Sequence, residues 1–269
     1  MKRKMRIGAL ISGSGTNLQA ILDACRAGRI SAEVCFIGSD NPAAAGLARG
    51  RRTRIPTFVV DYDRILGRYR CDPAGFELPP DFDLQEIKRK QALLSESVDT
   101  QMLDHFLRSR ALVEAALLEQ MGRYSYDLVV CAGFMRKLTP YFIDRVNLQP
   151  DLPRIMNIHP ALLPAFPGTD GYGDTLRFGC KIGGCTVHFI DYGEDTGPII
   201  GQRAFAIEEE DTLEIVKQKG LQLEWELYPH CIDLFACGRL RVEQQRHRMK
   251  NGEIFERKVV RILPESSSI

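Results

Sequence analysis

The chain has 269 residues, 44% of them apolar and 26% charged, with a formal net charge of +1. These proportions are ordinary for a soluble globular protein, and a charge so close to zero gives no global field for nucleic acid or an anionic membrane. No apolar run approaches the roughly 20 residues that cross a bilayer, and the apolar stretch at 7–11 is too short for a secretory core, so a cytoplasmic protein is expected.

In chain order, residues 6–11 form an apolar run that ends in Ser12-Gly13-Ser14-Gly15-Thr16-Asn17, and are expected to be the first strand. Leu18, Ile21, Leu22 and Cys25 recur at helical spacing within 17–27, and Gly28 stops that helix. A second strand follows at 32–37, a turn at Ser39-Asp40-Asn41-Pro42, a helix at 43–53 and a third strand at 57–60. Strand–helix alternation with apolar strands points to an α/β protein with a parallel sheet covered on both faces, whose ligands bind at the C-terminal strand ends. Residues 61–120 break the alternation: 68–83, rich in proline and charge, reads as an irregular excursion, and 84–120 as one broken helix or two. Alternation resumes with strands at 127–132, 154–159, 185–191 and 199–207, and helices at 140–146 and 211–235, the latter capped by Asp211 or Thr212. Asn251-Gly252 between two strand-like runs predicts a C-terminal β-hairpin, and residues 265–269 are expected to fray. The length suits one domain spanning 1–269, with 61–120 as an insertion within it.

Three places carry chemistry. The loop from Ser12 to Asn17 lies between a strand and a helix, where glycines admit a ligand and free N–H groups favour an anion. It lacks the third glycine of a dinucleotide fingerprint and the Gly-Lys-Ser/Thr of a Walker loop, so a small phosphate monoester fits better; a tight turn with capping hydroxyls is the alternative. Asn157 and His159 are two apart on a strand that Pro160 stops, so both side chains share a face at its end. An amide donor beside an imidazole suits a tetrahedral oxyanion and a proton transfer. Thr186 and His188 share a face of another strand, and Asp195 sits in the turn-rich loop after it, where a carboxylate can set the protonation of His159. His105, His230 and His247 lie away from this group. The eight cysteines include no Cys-x-x-Cys and the histidines no ligand-like spacing, so no metal is expected.

Taken in order, the stretches IGALISGSGTNLQAILDA from Ile7, SDNPAAAGLARGR from Ser39, DLVVCAGFMRKLTPYF from Asp127, IMNIHPALLPAFPG from Ile155, TVHFIDYGEDTGPII from Thr186 and ELYPHCIDLFACGRL from Glu226 resemble the glycinamide ribonucleotide transformylase family. The resemblance implies a Rossmann-like, mostly parallel sheet flanked by helices, and formyl transfer from 10-formyltetrahydrofolate to the amine of glycinamide ribonucleotide in purine synthesis. It implies that Gly15, Thr16 and Asn17 bind the substrate phosphate and that Asn157, His159 and Asp195 are catalytic. By the same resemblance Glu224 contacts the ribonucleotide, and Met135, Arg136, Leu138, Tyr192 and Glu194 line the folate site.

The chain departs from that pattern in three respects. Thr169-Asp170-Gly171-Tyr172 stands where the family usually has His-x-His, with Tyr172 or Asp170 as stand-ins. Leu221 stands where a glutamine is common, and the 61–120 stretch is longer than in compact relatives. The rival readings are a 10-formyltetrahydrofolate hydrolase, which usually carries an additional N-terminal regulatory domain, and a formyltransferase for another amine such as an amino-sugar nucleotide. A methionyl-tRNA enzyme is disfavoured because Ala165-Phe166 follows Leu162-Leu163-Pro164 in place of an arginine. A binding module without chemistry is the reading from another class.

Overall fold

The computed structural model describes residues 3–95, 97–148 and 152–265. The expected frayed end, beyond Glu265, lies outside the described residues. The first half builds β1 (Met5–Ile11), α1 (Thr16–Arg26), β2 (Ala32–Ser39), α2 (Leu47–Thr53) and β3 (Thr57–Val59). Next come α3 (Tyr62–Cys71), a 3-10 turn (Pro73–Gly75), α4 (Leu84–Lys90) and α5 (Thr100–Met121). The second half holds β4 (Leu128–Cys131), α6 (Pro140–Val146), β5 (Ile155–His159), α7 (Gly171–Arg177), β6 (Ile182–Phe189), β7 (Ile199–Ala206) and α8 (Leu213–Ala236). A hairpin of β8 (Leu240–Arg248) and β9 (Ile254–Ile262) follows, and its two strands pair antiparallel.

Seven strands form one sheet in the order β3-β2-β1-β4-β5-β6-β7. The pairings from β3 through β5 are parallel, and β6 and β7 join antiparallel. Alternation along the strands divides the core in two. Ile7, Ala9, Ile11, Val130 and Met156 face one side, with Leu18 and Ile21 of α1 and Leu227 and Tyr228 of α8. Leu10, Phe36, Val129 and Cys131 face the other, with Val113 and Leu117 of α5 and Phe142 of α6. Both faces are thus covered, which is why the inner strands read as nearly continuous apolar runs.

Local chemistry sets most element ends. Carboxylates of Asp61, Asp83 and Asp99 accept backbone N–H groups at the starts of α3, α4 and α5, and Thr212 does the same for α8. α6 is capped from a distance. Glu114 of α5 accepts the Thr139 N–H (2.7 Å) and the Thr139 hydroxyl (2.5 Å), which puts a buried carboxyl at the start of α6. Burial pushes the Glu114 carboxyl up to about 7, against those bonds.

Several elements differ from expectation. The helix expected over 43–53 begins only at Leu47, because the Gly46 N–H donates to the Gly13 carbonyl (2.9 Å) and binds this segment to the loop after β1. A helix, α3, covers the first residues of the stretch expected to be irregular; Asp61 caps it and Tyr62 and Tyr69, seven apart, are both buried. The 84–120 stretch, expected as one broken helix or two, takes the second form, with α4 and α5 as separate helices. α7 was not anticipated, since Gly171 and Gly173 lower its helix propensity, but Tyr172 packs it with Ile207 and Val216. Among the described residues no helix is long and apolar enough to cross a membrane, no group of three or more His, Cys, Asp or Glu is placed to hold a metal ion, and no two cysteines form a disulfide.

Candidate active site

β1 is flanked by β2 on one side and β4 on the other, so the direction of chain progression reverses between β1 and β4. Loops leaving the two C-terminal strand ends diverge there and leave a crevice, the usual ligand position in open α/β sheets. Ser12 ties the loops together: its N–H donates to the Gly133 carbonyl (2.9 Å) and its hydroxyl accepts the Met135 N–H (2.8 Å).

Two adjoining cavities occupy the crevice and share Asn17, Gly133 and Met135. The smaller, about 280 Å³, is lined by the Ser12–Asn17 loop. Gly15 stands before α1 with φ 69°, a left-handed conformation that a side chain would strain, and a Cβ there would lie 2.9 Å from the Gly46 Cα. The first intrahelical bond of α1 runs from the Gln19 N–H to the Gly15 carbonyl (2.9 Å), so the N–H groups of Thr16, Asn17 and Leu18 have no intrahelical acceptor. An eleven-residue helix that begins in this way favours an anion. The Asn17 side chain turns the other way, toward Glu224.

The larger cavity, about 420 Å³, holds Asn157, His159, His188 and Asp195 in its wall. Asn157 pairs in register with His188, and His159 with Thr186, so adjacent antiparallel strands supply both histidines. His188 Nδ1–H donates to the Phe189 carbonyl (2.9 Å), which leaves Nε2 to accept from Asn157 Nδ2 (3.3 Å). Burial holds the His188 imidazole below its usual range, opposed by the Asp195 charge, and the neutral ring matches that acceptor role. His159 faces an acceptor at each ring nitrogen: Nε2–H donates to the Phe166 carbonyl (2.7 Å), and Nδ1 lies 3.2 Å from Asp195 Oδ2. The same Asp195 oxygen accepts the Gly168 N–H (2.8 Å), and its other oxygen lies 3.6 Å from His188 Nε2. Asp195 achieves this from a loop position with φ 55°, which short polar side chains tolerate better than most.

On one side of this group stands Glu224, buried in α8. Asn17 Nδ2 donates to one of its oxygens (2.7 Å) and the Tyr172 hydroxyl to the other (2.6 Å). Burial raises the Glu224 carboxyl above its usual range, against these two bonds, and burial beside that carboxyl pushes the Tyr172 phenol up, so Tyr172 remains a donor. The phenol ring lies directly on α8: a Cβ on Gly220 would be 2.1 Å from it. On the other side, Met135, Arg136 and Leu138 from the loop after β4 face Glu194 from the loop after β6. Arg136 donates to Asp40 (2.5 Å) and Asp63 (2.8 Å), and Lys137 to Glu194 (2.6 Å).

Most of the residues singled out from sequence thus converge on one crevice. Thr186 and Tyr192 stand behind its wall. The Thr186 hydroxyl donates to the Ala161 carbonyl (2.7 Å) and accepts the Leu163 N–H (3.0 Å), while the Tyr192 hydroxyl donates to Asp144 (2.5 Å). Of the two stand-ins for the family's His-x-His, Tyr172 enters the crevice on Glu224, and Asp170 also pairs with Arg177 (2.9 Å) at the surface. Leu221 lines the cavity. His105 is elsewhere, its ring centroid 5.0 Å from that of Tyr69, and His230 and His247 are exposed. Sequence reasoning missed Lys137, the Phe166 carbonyl and Asp40. Asp40, which is buried at the C-terminal end of β2, carried a signal: a carboxylate directly after an apolar strand, at the edge where ligands bind.

A family model described as formyl transferase matches residues 5–232. The chain is 32% identical over 227 residues to a phosphoribosylglycinamide formyltransferase of Bacillus subtilis, covering 84% of this chain and 92% of that protein. It is 31% identical to the trifunctional purine biosynthetic protein adenosine-3 of Homo sapiens, covering 94% of this chain but only 20% of that much longer protein. Among solved structures, glycinamide ribonucleotide transformylase 1 from Symbiobacterium toebii superposes with a TM-score of 0.68 at 36% identity, over 98% of this chain and 96% of the other.

Proposed function

The chain belongs to the formyl transferase family, and from that premise we propose that it transfers the formyl group of 10-formyltetrahydrofolate to the amine of glycinamide ribonucleotide in purine synthesis. The observation that carries this reading is the Asn157, His159, Asp195 group in the wall of one cavity, next to an anion-suited helix start on one side and a half-buried loop cleft on the other.

In the proposed reaction the ribonucleotide phosphate sits at Gly15, Thr16 and Asn17, and its sugar hydroxyls reach Glu224. The folate occupies the side walled by Met135, Arg136, Leu138 and Glu194, with Tyr192 supporting that wall. The amine nitrogen attacks the formyl carbon, and the carbonyl π pair moves to oxygen. Asn157, whose second amide N–H is left over from its bond to His188, donates to that oxyanion, and His159 shares its Nε2 proton between the oxyanion and the Phe166 carbonyl. A proton leaves the attacking nitrogen and, through Asp195 or a water it holds, reaches N10 of the folate. The oxyanion pair then re-forms the carbonyl and breaks the bond to N10, giving the N-formyl product and tetrahydrofolate. His188 and Thr186 support the trio by fixing the amide and the turn after β5. The chemistry invokes no metal, and a cytoplasmic setting fits small soluble substrates.

Tetrahydrofolate release, followed by absorbance with and without glycinamide ribonucleotide, tests the reading. Release that requires the ribonucleotide is expected. Release without any acceptor would make the protein a hydrolase, and release only with another amine, such as an amino-sugar nucleotide, would change the acceptor.

A further inference from the structure

The stretch between α4 and α5 reaches the crevice, and the chemistry above makes no use of it. The Gln91 side-chain oxygen accepts the N–H groups of both Leu93 and Leu94 (3.0 Å each), which curls the chain just after α4. The curl buries Leu93 in the wall of the large cavity while its neighbour Ala92 stays exposed. Ala92 is bound as well: its N–H donates to the Tyr192 carbonyl (2.9 Å), and Ala92 and Gly193 form a parallel bridge. That bridge lies on the loop that carries Glu194 and Asp195 into the cavity.

The curl is fixed from below. Lys90, the last residue of α4, donates to Glu86 (2.6 Å) and to Asp144 of α6 (2.7 Å). Tyr192 donates to the other Asp144 oxygen (2.5 Å). One carboxylate therefore joins the end of α4, α6 and the loop after β6. Leu93 lines the large cavity together with the apolar side chains of Leu138 and Ile190, and none of the three lines the smaller cavity at the Ser12–Asn17 loop. Apolar lining of this kind suits the flat face of a heteroaromatic ring and gives nothing to a phosphorylated sugar.

We infer that the extra helical stretch is part of the donor site: Leu93, presented by the Gln91–Leu94 curl, is a binding and specificity contact for the ring system of the folyl donor. The inference rests on the formyl-transfer reading for the identity of the ring. It assigns to the 61–120 stretch a part in the wall of the donor site, and Lys90 and Gln91 become positioning residues that hold Leu93 in place.

Calorimetric titration of the intact protein with tetrahydrofolate, and separately with glycinamide ribonucleotide, tests this in Leu93→Ala and Leu93→Met. Loss of most of a buried leucine contact corresponds to about a tenfold weaker Kd. Leu93→Ala is expected to weaken tetrahydrofolate by about that factor and to leave the ribonucleotide within about twofold, while Leu93→Met, similar in volume, stays near wild type for both. An unchanged tetrahydrofolate Kd in Leu93→Ala, or an equal loss for both ligands, overturns the inference. Because binding is read without turnover, a wild type that binds tetrahydrofolate yet transfers nothing defeats the formyl-transfer reading and leaves this one standing.

Discussion

The two ends of the crevice are built differently. At the Glu224 end a buried carboxylate is held by two neutral donors, Asn17 and Tyr172, from α1 and α7. At the Arg136 end two loops are held by ion pairs that solvent reaches, and the Lys137 and Glu194 side chains are 37% and 33% exposed. Buried hydrogen bonds are short-range and little affected by salt, whereas exposed ion pairs are weak and screened. The first end is therefore preformed to receive a small polar ligand, and the second can adjust around a large one.

Between the ends, Asn157→Ala should have the largest effect. Removing one oxyanion donor costs about a hundred- to thousand-fold in kcat, and thermal melting should show an intact fold; a kcat within a few-fold of wild type would remove Asn157 from the chemistry. The next largest sharpens the contrast directly. Tyr172→Phe takes one donor from a buried carboxylate, a bond of about 1.5–3 kcal/mol, so the KM for the ribonucleotide should rise by about tenfold or more with the donor KM unchanged. Because the lost bond favours ionised Glu224, the carboxyl should rise further and the acid limb of kcat/KM for the ribonucleotide should move to higher pH. If both substrates were affected equally, the two ends would not be separate.

Lys137→Met tests the other end and should be milder. A half-exposed pair contributes about 0–1 kcal/mol, so the donor KM should rise no more than about fivefold, and the wild-type donor KM should itself rise with added salt while that of the variant does not. A salt-independent wild type would break the comparison. Glu114→Gln serves as a control for burial alone, since Glu114 is buried outside the crevice. Its folded pKa, about 7, lies above the ordinary 4.5, so the folded state holds the proton more tightly and this group's contribution to stability is lost as pH rises from about 4.5 to 7. His188, depressed in the folded state, acts in the opposite sense, losing stability as pH falls below 6.5. The difference between wild type and Glu114→Gln isolates the first, and denaturant melts should show it growing across that window to at most about 2–3 kcal/mol, with kcat untouched.

Much of this was legible in the sequence, for physical reasons. Buried parallel strands announce themselves as apolar runs, and a glycine-rich break after the first one marks a loop that leads into a helix start. The two-residue spacing of Asn157 and His159 is enough to put them on one face. Other features depend on distant partners and leave no local trace. α7 contains two glycines in a seven-residue helix and is held by Tyr172 on Gly220, nearly fifty positions away. The Phe166 carbonyl faces His159 only because of a left-handed turn at φ 55°. α3 was different: an Asp cap with Tyr62, Ile65, Leu66 and Tyr69 at helical spacing was present, and the charge and proline farther on obscured it.

The central claim is that Asp195 acts on the transfer step and the two ends of the crevice only bind. Single-turnover formyl transfer by Asp195→Asn, with tetrahydrofolate and ribonucleotide affinities measured on the same protein, tests it most directly. The account predicts a rate lower by at least about a hundredfold with both affinities within about twofold of wild type. A near-normal rate, or a rate loss fully matched by lost binding, would contradict it.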